Sequence, residues 1–192
     1  MVSTKTKFLI SVLFVAGSLW IGGCKKEENP ATPPPAVEHP PATTVYFIVT
    51  EVGGSGVADT CIVRDTTQTP IKKYVDGTLN LVSGKTYNGK FVLFDESVNP
   101  REDLTNDIID EKDAHVFKFT FNGGLDTNRV KITNLDTDSK GLPFGLNFKI
   151  TIAGSGAASG NIHVILEHHD DGNKAGTEFD LDLDRDFPAA LQ

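Results

Sequence analysis

Three aspartates alternate along Asp180-Leu181-Asp182-Leu183-Asp184, and an imidazole, His163, sits within the apolar alternating run Asn161 to His168. Carboxylate oxygens lined up on one face beside a histidine nitrogen suit a divalent cation. Next-but-one residues on a strand are ~6.5–7 Å apart, too wide for three carboxylates to hold one ion, so a tight site takes two of them together with His163. This chemistry requires the two runs to pair. Setting Leu166 opposite Phe179, Val164 opposite Leu181 and Ile162 opposite Leu183, around a turn at Asp171 to Lys174, gathers the apolar side chains on one face. The same register puts His163 opposite Asp182, with Asp180 and Asp184 as diagonal neighbours. Without a cation, that face is an acidic, solvated surface that protects a sheet edge.

Other candidates read as structure. His168-His169-Asp170-Asp171 offers four donors at a turn, but consecutive residues on a strand point to opposite faces, so both histidines reach one metal only where the strand has ended. His115 heads a phenylalanine face and reads as a strand-end histidine. Asp136-Thr137-Asp138-Ser139-Lys140-Gly141 has the opening frame of a calcium loop, yet Lys140 stands where an oxygen ligand belongs and Asn147 occupies the twelfth position, which leaves a structural turn. Gly154 to Gly160 lacks the Lys-Ser/Thr ending of a phosphate loop and reads as a flexible hairpin. No Gly-x-Ser-x-Gly elbow and no His-Glu-x-x-His motif occurs. Catalytic and cofactor-binding residues are therefore expected to be absent, and the protein is expected to bind rather than catalyse.

The elements that must position these residues are strands. From Thr44 onward the apolar period is two, interrupted by turn residues at Gly53-Gly54-Ser55-Gly56, Asp76-Gly77, Ser83-Gly84, Asn122-Gly123-Gly124 and Asp171-Gly172-Asn173. Strands are predicted at 44–52, 57–65, 70–75, 78–82, 86–94, 115–121, 129–133, 144–152, 161–168 and 177–187. Phe117, Phe119 and Phe121 share one face while Lys118 and Thr120 take the other, the pattern of a sheet solvated on one side. One short amphipathic helix is predicted near 100–113, with Asn99 or Thr105 as cap and Leu104, Ile108 and Ile109 at helical spacing. The predicted fold is an all-β antiparallel sandwich, immunoglobulin- or transthyretin-like, of about 8–10 strands.

At 192 residues the chain has room for one ordinary domain, and its 26 Asp+Glu against 18 Lys+Arg, with no basic run in the body, argue against nucleic acid as a partner. The acidity is local. Residues 95–113 hold eight Asp/Glu against Arg101 and Lys112, and residues 167–186 hold eight against Lys174 and Arg185. The first 23 residues have the form of a secretory signal: Lys5 and Lys7, an apolar stretch from Phe8 to Ile21, then Gly22-Gly23. Ile21-Gly22-Gly23-Cys24 resembles the bacterial lipobox, which makes Cys24 the lipidated first residue of the mature chain. Several acyl chains on one residue suffice for stable membrane attachment. Residues 24–43 follow as a linker with six of the ten prolines, an extended and disordered spacer. Lys25-Lys26-Glu27-Glu28 resembles the export signal of surface lipoproteins of Bacteroidota, which implies an outer-membrane, cell-surface location. With Cys24 assigned to lipid, Cys61 has no partner within the chain and reads as a small buried hydrophobe. Residues 44–192 form the sandwich.

Four stretches together, Leu79 to Tyr87, Glu102 through Glu111 and Asp113 to His115, Gly141 to Leu146, and Ser159 to Ile162, resemble a family of small Bacteroidota lipoproteins. That family carries the label "type 1 periplasmic binding fold", and its members are thought of as companions of TonB-dependent receptors. The resemblance spans most of 75–187. Taken with the lipobox and the acidic strand face, the expectation is a lipid-anchored binding protein that captures a metal ion or small ligand for such a transporter; the resemblance itself carries no activity over. The two-lobed α/β receptor that the label describes needs alternating helices, which the strand pattern here does not supply. A structural or adhesion module of the same architecture is the alternative.

Overall fold

The computed structural model describes residues 40–66, 72–133 and 135–192. The signal segment, Cys24 and most of the proline-rich linker lie outside the described residues. Eleven strands and one helix follow in chain order: β1 Thr44–Glu51, β2 Ala58–Thr66, β3 Lys72–Asp76, β4 Leu79–Leu81, β5 Thr86–Asp95, β6 Glu102–Asp103, α1 Thr105–Asp110, β7 His115–Gly123, β8 Val130–Thr133, β9 Asn147–Ile152, β10 Ala158–His168 and β11 Asp180–Leu191. They form two sheets, as the period-two pattern requires. The first runs β3-β2-β1-β5-β9-β8, with β6 added beside the end of β5; the second runs β4-β11-β10-β7. Pairing is antiparallel except between β11 and β4, which run parallel. The protein is thus an all-β sandwich.

Alternation explains which face each strand buries. Phe47, Val49, Tyr87, Phe91, Leu93, Phe148 and Ile150 come inward from the first sheet, and Phe117, Ile162, Val164, Leu166, Leu183 and Phe187 from the second. Aromatic rings join the two layers: Phe47 lies edge-on to Phe187 with centroids 5.3 Å apart, and Phe91 stacks on Phe117 at 4.9 Å. Each such pair adds about 0.5–1.5 kcal/mol to what area burial contributes. Gly89 makes room for this cluster, since a Cβ there would stand 2.4 Å from the ring of Phe148.

The sequence reading needs correction at four places. The hairpin between β10 and β11 uses a different register, with Ile162 opposite Phe187, Val164 opposite Arg185 and Leu166 opposite Leu183. The reason lies at the C-terminus: Phe187, Ala189 and Leu191 continue the inward row and are buried, so β11 slides four residues along β10 and leaves Phe179 and Leu181 exposed. Arg185 takes an inward position at the sheet margin and reaches Asp65 at 3.6 Å. The run from Gly154 is a crossover between sheets rather than a hairpin, because β9 and β10 belong to different layers; Arg129 braces it through the carbonyls of Ala153 and Gly156. In α1, Leu104 is the N-cap residue and makes no side-chain cap bond, while the Thr105 hydroxyl accepts the N–H of Leu93 and so ties the helix to β5. Ile108 is buried but Ile109 faces out, so the helix has a narrower apolar stripe than its spacing implied.

A candidate metal centre at the end of the second sheet

The structure divides the set His163, Asp180, Asp182 and Asp184. His163 remains on the outward face but meets Asp186 (Nδ1 to Oδ1 3.1 Å) and Asp184 (Nε2 to Oδ1 3.6 Å) rather than Asp182. Asp180 pairs in register with His168. Asp182 leaves the outward row altogether. A bulge between Leu166 and Glu167 places an extra residue on β11 at this point, and the locally increased twist re-aims the Asp182 carboxylate toward the core end of the sheet.

There it meets two histidines. His115 opens β7, His168 closes β10, and the two are direct cross-strand partners, because the alignment of Phe117, Phe119 and Phe121 with Leu166, Val164 and Ile162 continues one step further to this pair. Their rings stack with centroids 4.4 Å apart. Asp182 Oδ2 lies 2.9 Å from His115 Nε2 and 3.9 Å from His168 Nδ1. Glu111, just beyond α1, completes the group: one ligand atom each from Glu111, His115 and His168 lies within 4.8 Å of the others. Turn bonds hold these elements in place, from Ala114 N to Glu111 O (2.9 Å) and from His169 N to Ala114 O (2.9 Å). His115 is fully buried and His168 nearly so.

The hydrogen bonding of His115 bears on its chemistry. Its Nδ1 sits 3.0 Å from the Glu111 main-chain carbonyl, which can only accept, so Nδ1 carries the proton. At 2.9 Å, Nε2 and the Asp182 carboxylate are in direct hydrogen-bond contact, so a cation bound at Nε2 would take the place of that bond and move the Asp182 oxygen aside. Orientation from behind by a backbone carbonyl is what metal-binding imidazoles have in common with His115. Glu111, His115 and His168 offer two imidazoles and a carboxylate, a donor set that suits zinc and neighbouring divalent transition metals, with Asp182 beside the two histidines. His168 also lines a cavity of about 430 Å³ with Asp170, Asp171, Glu178 and Asp180, so the centre has an acidic approach from solvent.

The remaining candidates resolve into structure. His169, just past the end of β10, is buried against Glu167 (Nε2 to Oε2 3.0 Å), which also pairs with Lys118 at 2.6 Å. The Asp136 to Gly141 loop is a structural turn. Asp138 accepts the main-chain N–H groups of Lys140 (2.9 Å) and Leu142 (2.8 Å) and pairs with the enclosed Lys174 ammonium at 3.0 Å. Burial alone would raise the Asp138 carboxyl, but Lys174 and the two amides outweigh it and hold it below the usual aspartate range. Cys61 is a free, buried thiol. Burial, reinforced by the Asp59 and Asp76 carboxylates, pushes it up to about 12.

No family model matches the chain, and no curated protein matches it. Among solved structures, domains 4 and 5 of the S-layer protein SbsC align with 76% of this chain and 75% of that one, at 11% identity and a TM-score of 0.29. At that similarity nothing about function passes from one to the other.

Proposed function

We propose that this sandwich is a binding protein for a divalent transition-metal ion, held by Glu111, His115, His168 and Asp182. One observation supports the reading: two cross-strand histidines and a helix-end glutamate bring one donor atom each within 4.8 Å of one another from three different elements, and Asp182 reaches the histidines from a fourth. A cation would add charge compensation to a group in which two half-buried carboxylate residues stand beside two buried imidazoles. A lipid on Cys24 and an outer-membrane surface location, with a TonB-dependent receptor as partner, complete the proposal; they rest on the lipobox-like and Lys-Glu-Glu segments and on the family resemblance.

Calorimetric titration of the apo-protein with zinc tests the metal reading. One ion is expected per chain, with affinity reduced about 100-fold or more in His168→Ala and unchanged in His163→Ala. Absence of binding, or equal loss in the two variants, removes the reading and leaves the structural or adhesion module in its place.

A further inference from the structure

The sandwich is open along one side. β7 ends the second sheet and β8 ends the first, and between them lies a cavity of about 920 Å³ remote in chemistry from the histidine cluster. Its walls are apolar: Phe117, Phe119 and Phe121 from β7, Val130 and Ile132 from β8, and Leu135 beyond it. Phe119, Phe121, Ile132 and Leu135 are only partly covered by the rest of the core. A volume of this size with an apolar lining and a few polar groups at the margin is that of a small-molecule site.

The charge of the lining selects the class of ligand. In a chain with an excess of acidic residues, no Asp or Glu lines this cavity, whereas Lys118, Lys131 and Lys174 do. Lys118 is paired with Glu167 and Lys174 with Asp138, but Lys131 has no ion pair among the described residues and is exposed. The lining therefore suits an occupant with an apolar body and one negative head group. A peptide strand added to the open edges fits less well. β8 has only four residues, and on β7 the N–H of Phe117 is already given to Phe144 O at 2.7 Å. Lysines on both edge strands further oppose strand addition.

We infer that the cleft between β7 and β8 binds a free long-chain fatty acid, its hydrocarbon along the phenylalanine wall and its carboxylate on Lys131. The site is independent of the metal centre. Binding of hexadecanoate and of hexadecanol, which share a chain and differ in the head, is compared by displacement of a fluorescent probe from the purified full chain. Hexadecanoate is expected to bind one per chain and about tenfold more tightly than hexadecanol. Lys131→Gln, an exposed substitution that leaves the fold intact, is expected to lower the acid to the level of the alcohol and leave the alcohol unchanged. Ile132→Glu is expected to weaken both. Equal binding of the acid and alcohol by the native chain, no binding of either, or an acid affinity unaffected by Lys131→Gln would overturn the inference. So would retention by phosphatidylglycerol vesicles, or by an acidic strand-forming peptide, when free hexadecanoate does not bind.

Discussion

A histidine whose two ring nitrogens face a carbonyl and a carboxylate is constrained on both sides, and His115 is such a residue. Its partner His168 was visible in the sequence only as half of a His-His pair, and His115 only as the head of a phenylalanine face. The link between them follows from aligning the apolar rows of β7 and β10, a step that pairing β10 with β11 alone does not take. Other single residues carry their own tests. Cys61, raised to about 12, is about one part in ten thousand thiolate at pH 8, so alkylation in the native state is expected to be negligible and to become fast only on unfolding. Mass spectrometry of iodoacetamide-treated protein, with and without denaturant, reads this directly. Asp138 has a folded-state value below its ordinary 3.8, so the stabilisation it contributes is complete above that value and is lost as pH falls through the lower one. The stability difference between native protein and Asp138→Asn is therefore expected to be constant near neutrality and to shrink below pH of about 4, measured by denaturant unfolding at a series of pH values.

At the scale of elements, the strand pattern was legible because side-chain alternation and glycine-rich turns are local signals. The register of the last hairpin was not, since two even-numbered alignments bury apolar residues equally well on β10. Phe187-Pro188-Ala189-Ala190-Leu191 decides between them, and it does so through packing with the first sheet and with β4, which no local pattern reports. The bulge that re-aims Asp182 is likewise a product of the slid register. Substitutions separate the two alignments. Phe187→Ala removes a fully buried ring and is expected to cost about 3–5 kcal/mol, whereas Leu181→Ser, at a side chain 49% exposed, is expected to stay within about 0.5 kcal/mol. Equilibrium unfolding in urea measures both; the alignment of Leu181 with Val164 would give large losses at Leu181. Gly89→Ala is expected to destabilise by about 1–3 kcal/mol, because the added methyl displaces the Phe148 ring.

For the whole molecule, the sandwich places its histidine and carboxylate cluster at the end of the second sheet and leaves its side open between β7 and β8, so the two proposed sites share one core. Both acidic stretches of the sequence contribute to the proposed metal centre, Glu111 from one and His168 and Asp182 from the other. A bound ion also ties α1, β7, β10 and β11 together, and at 100 times its dissociation constant it is expected to add about 2.7 kcal/mol to stability. X-ray absorption at the zinc edge of the loaded protein tests the central claim most directly. The account predicts a four-coordinate site with two imidazole nitrogens and carboxylate oxygens at about 2.0–2.2 Å, reduced to one imidazole in His115→Ala. A spectrum with a single imidazole in the native protein, or one unchanged by that substitution, would contradict it.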